Sequence, residues 1–164
     1  MDIKFEGLDE VLESIEKIGD KSNIISGMDE ACKAVTRSAK EKAPKDSGDL
    51  RRSITYKVDS VGDIVGTVYT PLEYAPYREY GTGAFAEENP RSGYWVYVKG
   101  KSGGGGYKGK RYSLEDARKI VAMMHADGLE AIYTQGMHPH PFMRPALEEN
   151  RDKVKKIIKG ALLE

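Results

Sequence analysis

Residues whose side chains could support chemistry are concentrated in three short stretches of the chain. The central stretch, Tyr74-Ala-Pro-Tyr-Arg-Glu-Tyr-Gly-Thr82, combines three tyrosines, a charged pair and a Gly-Thr turn. The upstream stretch runs from Ala43 to Ile54 (Ala-Pro-Lys-Asp-Ser-Gly-Asp-Leu-Arg-Arg-Ser-Ile), and the downstream stretch runs from His138 to Leu147 (His-Pro-His-Pro-Phe-Met-Arg-Pro-Ala-Leu). None of the three contains a recognisable catalytic set, so we predict no catalytic residue.

Glu79 is the carboxylate of the central stretch. General acid–base catalysis would require a cleft and a partner group, and no second carboxylate or nucleophile is placed beside Glu79 in the sequence. We therefore predict that Glu79 forms an ion pair that fixes the turn, within the chain or across a subunit contact. The arginines of the flanking stretches, Arg51, Arg52 and Arg144, are the candidate partners.

The three histidines do not form a zinc-binding pattern. A zinc site needs three or four ligands at suitable spacing, whereas His138 and His140 flank Pro139 without a nearby carboxylate or thiol in the sequence. We predict exposed histidines and no bound metal. A hydrolase centred on Glu79 and the histidines is a disfavoured alternative.

Gly100-Lys101-Ser102 resembles the end of a phosphate-binding loop, because it follows a predicted strand. Such a loop needs an earlier glycine, where this chain has Trp95, and a helix immediately afterwards, where this chain has four glycines. We predict no nucleotide and no other cofactor.

The segment from Arg91 to Arg111, termed the basic arm, contains six cations and no carboxylate: Arg91, Lys99, Lys101, Lys108, Lys110 and Arg111. Aromatic residues are interleaved with these charges, which is typical of contact with a phosphate backbone or a single strand. The competing interpretation is a solvated hairpin whose aromatics pack inward. We favour the hairpin, because six charges without a fixed groove attract a polyanion weakly and in a salt-sensitive manner.

Periodicity predicts the elements that must position these stretches. Helices are predicted over Leu8–Ile18, over Ser22–Ala43, around Tyr77, from the N-cap Ser113 to Asp127, and from about Pro145 to Leu163. Strands are predicted over Ile54–Val58, Ile64–Thr70, Tyr94–Val98 and Leu129–Gln135. The order predicts an α+β fold with an antiparallel sheet packed against a long N-terminal helix and a C-terminal helix, with a Gly-rich arm inserted.

Size and composition set further bounds. The chain has 164 residues, which predicts a single domain over 1–164 with a mobile insertion at about 83–135. The formal net charge is zero, so overall charge favours no class of partner. No apolar run approaches the ~18 residues of a membrane span, and the N-terminus lacks the layout of a signal peptide. Cys32 is the single cysteine and is predicted to be a buried packing thiol in a reducing compartment.

The ordered set of motifs resembles a known family. Ala43-Pro44 with Ser47-Gly48-Asp49-Leu50-Arg51 and Ser53-Ile54 comes first, Tyr74-Ala75 with Glu79-Tyr80-Gly81-Thr82 comes second, and Pro141-Phe-Met-Arg-Pro-Ala-Leu147 comes third. In this order they resemble the tailed-phage family typified by the tenth gene product of phage HK-ninety-seven, a family of tail-component or head–tail joining proteins. The resemblance covers roughly residues 5–82 and 136–164.

The resemblance implies a structural protein of the virion neck or tail, made in the cytoplasm of the bacterial host. It implies partners: other copies of the chain in a ring, expected to be a hexamer, and other neck or tail proteins, without a membrane. We hypothesise that the basic arm is mobile in the free subunit and orders on a neighbouring subunit, a neck partner or DNA in the ring lumen. The residues expected to form the interface or the structural motif are Arg51, Tyr74, Tyr77, Glu79, Tyr80, Gly81, Thr82, Phe142 and Arg144.

Overall fold

The computed structural model describes residues 2–4, 21–99 and 110–163. The helices are α1 (Ser22–Lys42), α2 (Asp49–Ser53), α3 (Ala75–Tyr80), α4 (Leu114–Ala126) and α5 (Met143–Leu163). The strands are β1 (Asp2–Lys4), β2 (Thr55–Asp59), β3 (Val65–Tyr69), β4 (Thr82–Gly83), β5 (Trp95–Val98), β6 (Ala131–Thr134) and β7 (Gly136–Met137). This mixture of helices and small antiparallel sheets confirms the predicted α+β class.

The chain forms two compact units. The first comprises residues 1–75 and 141–164, and the second comprises residues 76–140. The single domain with a mobile insertion at about 83–135 remains a prediction. The predicted helix over Leu8–Ile18 lies outside the described residues, as does the part of the basic arm that contains Lys101 and Lys108.

The sheet of the first unit has the order β1–β3–β2, with both neighbouring pairs antiparallel. In the register, Tyr56 of β2 and Ile3 of β1 lie on either side of Val68, which is 1% exposed. The β2–β3 hairpin confirms the prediction made from alternating apolar residues. Strand β1 was not predicted, because three residues carry too little periodicity to indicate a strand.

Helices α1 and α5 pack along each other in the first unit and run in opposite directions. Lys42, at the end of α1, bonds Glu149 near the start of α5 at 2.7 Å. At the other end Gly27 lies against Ala161, where a Cβ added to the glycine would be 2.7 Å from the alanine Cβ. The absence of a side chain at Gly27 therefore permits this close approach.

The helical spacing of apolar residues predicts a buried stripe on α1 of Ile25, Met28, Cys32, Val35 and Ala39. The last four are buried, whereas Ile25 is only partly buried and its neighbour Ile24 is buried instead. The helix ends at Lys42, and Ala43 is extended, with ψ 137°, as expected for a residue that precedes proline. On the α5 side the core contains Phe142, Met143, Ala146, Val154 and Ile158.

Helix α2 was not predicted, because the short polar residues and the glycine between Lys45 and Asp49 indicate a turn that leads to the strand from Ile54. Gly48, with φ +77°, reverses the chain directly before the helix, and Arg52 N donates to Gly48 O at 3.0 Å. Leu50, 4% exposed, anchors this short helix in the core. A helix of five residues presents less than two turns, so its periodicity could not be detected in the sequence.

The second unit packs α4 on the antiparallel β5–β6 pair. Its core contains Val96, Val98, Ala117, Val121 and Ala131. Ser113 caps α4 as predicted, because its Oγ accepts from Asp116 N at 3.1 Å and donates to the Asp116 carboxylate at 2.8 Å. No helix among the described residues combines the length and the apolar character that are needed to cross a bilayer.

Candidate functional site

The central stretch folds as α3 followed directly by β4. Gly81 ends the helix with φ +74°, which confirms the predicted stop. Its backbone is closely surrounded: an added Cβ would lie 2.6 Å from Phe85 O and 2.9 Å from Met137 O. Both the conformation and the available space at position 81 therefore require glycine.

The segment from Arg78 to Phe85 is held against residues 137–140 by three contacts within the second unit. Thr82 Oγ1 accepts from Met137 N at 3.0 Å, in line with the pairing of β4 and β7. The ring of Phe85 stacks on His138 at 3.7 Å between centroids. Arg78 O accepts from His140 N at 2.7 Å. His138 and His140 are exposed, as predicted, and they also contact this segment through the His138 ring and the His140 backbone N–H.

This packing leaves two tyrosines on the surface. Tyr77 is 58% exposed and Tyr74 is 42% exposed, whereas Tyr80 is partly buried. A groove of about 380 Å³ lies beside α3 and is lined by Pro76, Tyr77, Tyr80, Gly81, Ala86 and Glu88. Exposed aromatic side chains beside a groove are typical of protein-contact surfaces.

Glu79 lies on α3 and is fully buried, with 0% of its surface exposed. A buried carboxylate is tolerated only when its charge or its hydrogen-bonding capacity is compensated. This burial favours a structural role over general acid–base chemistry on a dissolved substrate. The ion pair proposed for Glu79 from the sequence remains a prediction.

The upstream motif builds the turn before α2 from its own side chains. Ser47 Oγ donates to the Asp49 carboxylate at 2.6 Å, and Arg52 Nη2 bonds the same carboxylate at 2.5 Å. The hydrogen bond from Ser47 and then that from Arg52 hold the pKa of Asp49 below its ordinary value of 3.8. The motif residues Ser47 and Asp49 therefore serve local geometry.

The end of the same motif supports strand β3. Ser53 Oγ lies 2.6 Å from Thr70 Oγ1, and Leu72 N donates to Thr70 Oγ1 at 3.3 Å. Thr70 is 1% exposed. These bonds fix the segment of the first unit that leads to Tyr74.

The remaining motif residues divide between core and surface. Phe142 is fully buried in the core of the first unit, whereas Arg144 is partly exposed at the start of α5. Arg51 is also partly exposed and lines a groove together with side chains of α1. The interface roles assigned to these residues remain predictions.

The described cations of the basic arm are all exposed: Arg91, Lys99, Lys110 and Arg111. Tyr94 and Tyr112 form a bridge, in which each backbone N–H donates to the other residue's carbonyl, at 3.0 and 2.9 Å. Lys110 Nζ lies 5.5 Å from the centre of the Tyr112 ring, and Arg111 Nη1 donates to Ser92 O at 3.4 Å. The bridge thus brings the two ends of the basic arm together.

The structure gives no support to a metal site within the described ranges, where no group of three or more potential ligands is found. His125 Nε2 lies 2.7 Å from Ala131 O, so this ring is engaged with the backbone. Cys32 is fully buried, and burial raises the pKa of its thiol to about 12. The predicted packing thiol is confirmed.

The sequence did not indicate the pairing of β4 with β7 or the stacking of Phe85 on His138. These partners are separated by more than fifty positions, and each of the two strands has two residues. Lys33, Arg37 and Lys40 recur at helical spacing on α1 and so indicate a basic face of that helix, but the spacing does not indicate that Arg51 lies beside it.

Comparison with known proteins identifies a family. Residues 6–81 match the HK97-gp10-like family model, which is described as "Bacteriophage HK97-gp10, putative tail-component". The match contains the first motif and the second motif as far as Gly81, and it ends before the third. No curated protein and no solved structure matches the chain significantly. The resemblance inferred from the motifs is confirmed over residues 6–81, and the chain is similar to the HK97-gp10-like family of phage tail components.

Proposed function

We propose that this protein is a head–tail joining or tail-completion subunit that assembles as a homo-oligomeric ring, a hexamer, in the neck of a tailed phage or prophage particle. The observation that carries the proposal is the match of residues 6–81 to a family of phage tail components. The role is structural and non-enzymatic, and the expected partners are further copies of the chain and other tail proteins.

The surface of α3 supports an assembly role. Tyr77 exposes a large aromatic side chain in the lining of a groove, and the bond from Met137 N to Thr82 Oγ1 holds the residues that follow the helix. A rigid backbone with exposed aromatic residues loses little conformational entropy on binding. Aromatic residues of this kind are enriched among those that dominate binding energy.

The proposal is tested by measuring the mass of the purified protein over a wide range of concentration, by light scattering and native mass spectrometry. A closed ring, or a monomer–ring equilibrium, is expected. Tyr77→Ala should weaken association by about 10-fold or more, as hot-spot truncations do. Met123→Ala is the matched control, since Met123 is 69% exposed on α4, away from this groove. A strict monomer at every concentration would contradict self-assembly.

Nucleic-acid binding by the basic arm is the second candidate function. It is favoured by the bridge between Tyr94 and Tyr112, which places exposed cations from both ends of the arm near one another. Binding should be steeply salt-dependent, and neutralising Arg91, Lys110 and Arg111 together should lower the slope of log K against log salt by about 3. Neutralising Lys153, Lys155 and Lys156 of α5 provides the control. An unchanged slope in the arm variant would exclude this function for the arm.

A further inference from the structure

A second groove, of about 390 Å³, lies on the first unit between α1, Arg51 and Tyr56. Two buried polar atoms in its lining, Thr36 Oγ1 and Arg51 Nε, have no hydrogen-bond partner in the part of the chain that the structure describes. Thr36 is only 7% exposed, so its hydroxyl is withdrawn from bulk solvent. Because buried polar groups are nearly always paired in native proteins, two unpaired polar atoms in one groove indicate that the groove binds a ligand.

The charges of the groove indicate the kind of ligand. Lys33, Arg37 and Lys40 line it at helical spacing on α1. Lys33 is paired with Asp29 at 2.6 Å. Arg37 and Lys40 take part in none of the ion pairs found within the described ranges. An anionic group is therefore the natural occupant.

A single carboxylate can accept hydrogen bonds from both unpaired groups, Thr36 Oγ1 and Arg51 Nε. A guanidinium can bind a carboxylate through Nε–H and an adjacent Nη–H in a bidentate manner, and a threonine hydroxyl can donate to the same group. Tyr56 provides a fixed wall, because its hydroxyl donates to Asp29 at 2.9 Å. That hydrogen bond raises the pKa of Tyr56, so its phenol remains protonated.

A protein carboxylate fits this groove better than a nucleic-acid backbone. Glu41 also lines the groove, and its negative charge opposes a chain of phosphates. A single acidic side chain avoids much of this repulsion, since it adds one charge next to Arg51, Arg37 and Lys40.

We propose that the groove receives an acidic side chain from a neighbouring copy of this chain; the proposal rests on the ring function. The best donors are Glu148 and Asp152, which are both exposed and lie one turn apart on α5. Among the described residues, the one ion-pair contact of Glu148 is with Arg151, at 3.8 Å. The groove and this acidic pair share no residue, so the contact is head-to-tail, and repetition around an axis closes a ring.

The test uses two complementary variants of the full chain. Arg51→Gln disables the groove and keeps the acidic pair, whereas the double variant Glu148→Gln/Asp152→Asn disables the acidic pair and keeps the groove. Each variant alone should lose association by about 10- to 100-fold, as expected for a charged hydrogen bond. An equimolar mixture should form a heterodimer by native mass spectrometry, because one intact contact remains between unlike chains. Arg118→Gln, which alters an exposed arginine on α4, is the control for loss of one charge.

Thr36→Val keeps the test valid should Arg51→Gln disturb folding. Removal of an unpaired buried hydroxyl should raise Tm by a few degrees. The same change should weaken association several-fold. A raised Tm with unchanged association would show that the hydroxyl does not contact the partner and would overturn this part of the proposal.

The remaining outcomes separate this proposal from the ring function. If the wild type assembles and Arg51→Gln assembles equally well, the groove proposal is wrong and the ring stands. If the wild type is monomeric at all concentrations, the ring function is wrong and a second copy is excluded as the occupant. If Arg51→Gln leaves assembly intact but lowers affinity for a 30-base-pair duplex, the groove binds phosphate and the proposal is overturned.

Discussion

The two units of the chain differ in the side chains that they bury and in those that they expose. The core of the first unit contains large side chains from α1, the sheet and α5, including Met28, Ile54 and Phe142. The core of the second unit contains valines and alanines. Burial of larger apolar surfaces stabilises a fold more, so the first unit is expected to carry most of the stability. The second unit offers exposed aromatics and cations instead, and its smaller core should tolerate change more readily.

Among the variants that test this difference between the two units, Phe142→Ala has the largest expected effect. Phe142 is fully buried in the first unit, so its truncation should cost about 3–5 kcal/mol in free energy of unfolding. Val121→Ala is the counterpart in the second unit and should cost about 1–3 kcal/mol. Denaturant unfolding, monitored by far-ultraviolet circular dichroism and by Trp95 fluorescence, measures both. Equal losses from the two variants would contradict the division of stability.

Gly81→Ala tests the joint between α3 and β4. A left-handed conformation costs a non-glycine residue about 1–2 kcal/mol, and the added Cβ would also contact Phe85 O and Met137 O. We expect a loss of about 2–4 kcal/mol, together with weaker self-association through the Tyr77 surface. Gly128→Ala is the control, since its φ is +76° but nothing lies within 4 Å of an added Cβ. Similar losses for both glycines would show that crowding at Gly81 adds nothing.

Ser113→Ala tests the cap of α4 in the second unit. Loss of the bond from Asp116 N should cost about 1 kcal/mol, as is usual for an N-cap serine. The loss should appear as faster hydrogen exchange in the first turn of α4, with α1 unchanged. Uniformly faster exchange in both units would indicate that they unfold as one, which would remove the distinction drawn between them.

The smallest expected effect is the dependence on pH of the stability difference between Asp49→Asn and the wild type. The pKa of Asp49 is lowered in the folded state, so its contribution to stability is present above the unfolded pKa and is lost as pH falls through the folded pKa. Since Asp49 is exposed, that contribution is small. Asp49→Asn should therefore be slightly less stable than the wild type near neutral pH and equal to it once the pH lies below the folded-state pKa of Asp49. A difference that persists at low pH would assign the effect to geometry instead of charge.

Much of the fold could be predicted because its long elements have clear periodicity. The stripe of α1 from Met28 to Ala39, the β2–β3 hairpin and the Ser113 cap each follow from local residue types. The elements that the sequence did not predict are short, or they form by pairing with residues that are distant in the chain. Helix α2 has five residues, and the pairing of β4 with β7 joins residues that have no neighbour relation in the sequence.

The candidate sites were less predictable than the fold. The motif that contains Tyr74 and Tyr77 was found from residue types, and the structure shows that these tyrosines are exposed while Glu79 is buried. Residue type alone could not separate these two environments, because burial depends on how α3 packs. The groove at Thr36 and Arg51 forms because side chains from α1 and α2 converge. No local sequence pattern indicates that two separate helices converge.

The bridge between Tyr94 and Tyr112 has a consequence for how this chain can vary in length. Two backbone hydrogen bonds hold both ends of the intervening segment in place, independently of what the segment contains. The closure entropy of a loop between two fixed points grows only with the logarithm of its length, by about 0.6 kcal/mol for each doubling. Changes in the length of the chain between the two bridged residues are therefore expected to cost little closure entropy. That makes this position suited both to evolutionary change of partner and to insertion of an epitope or a reporter.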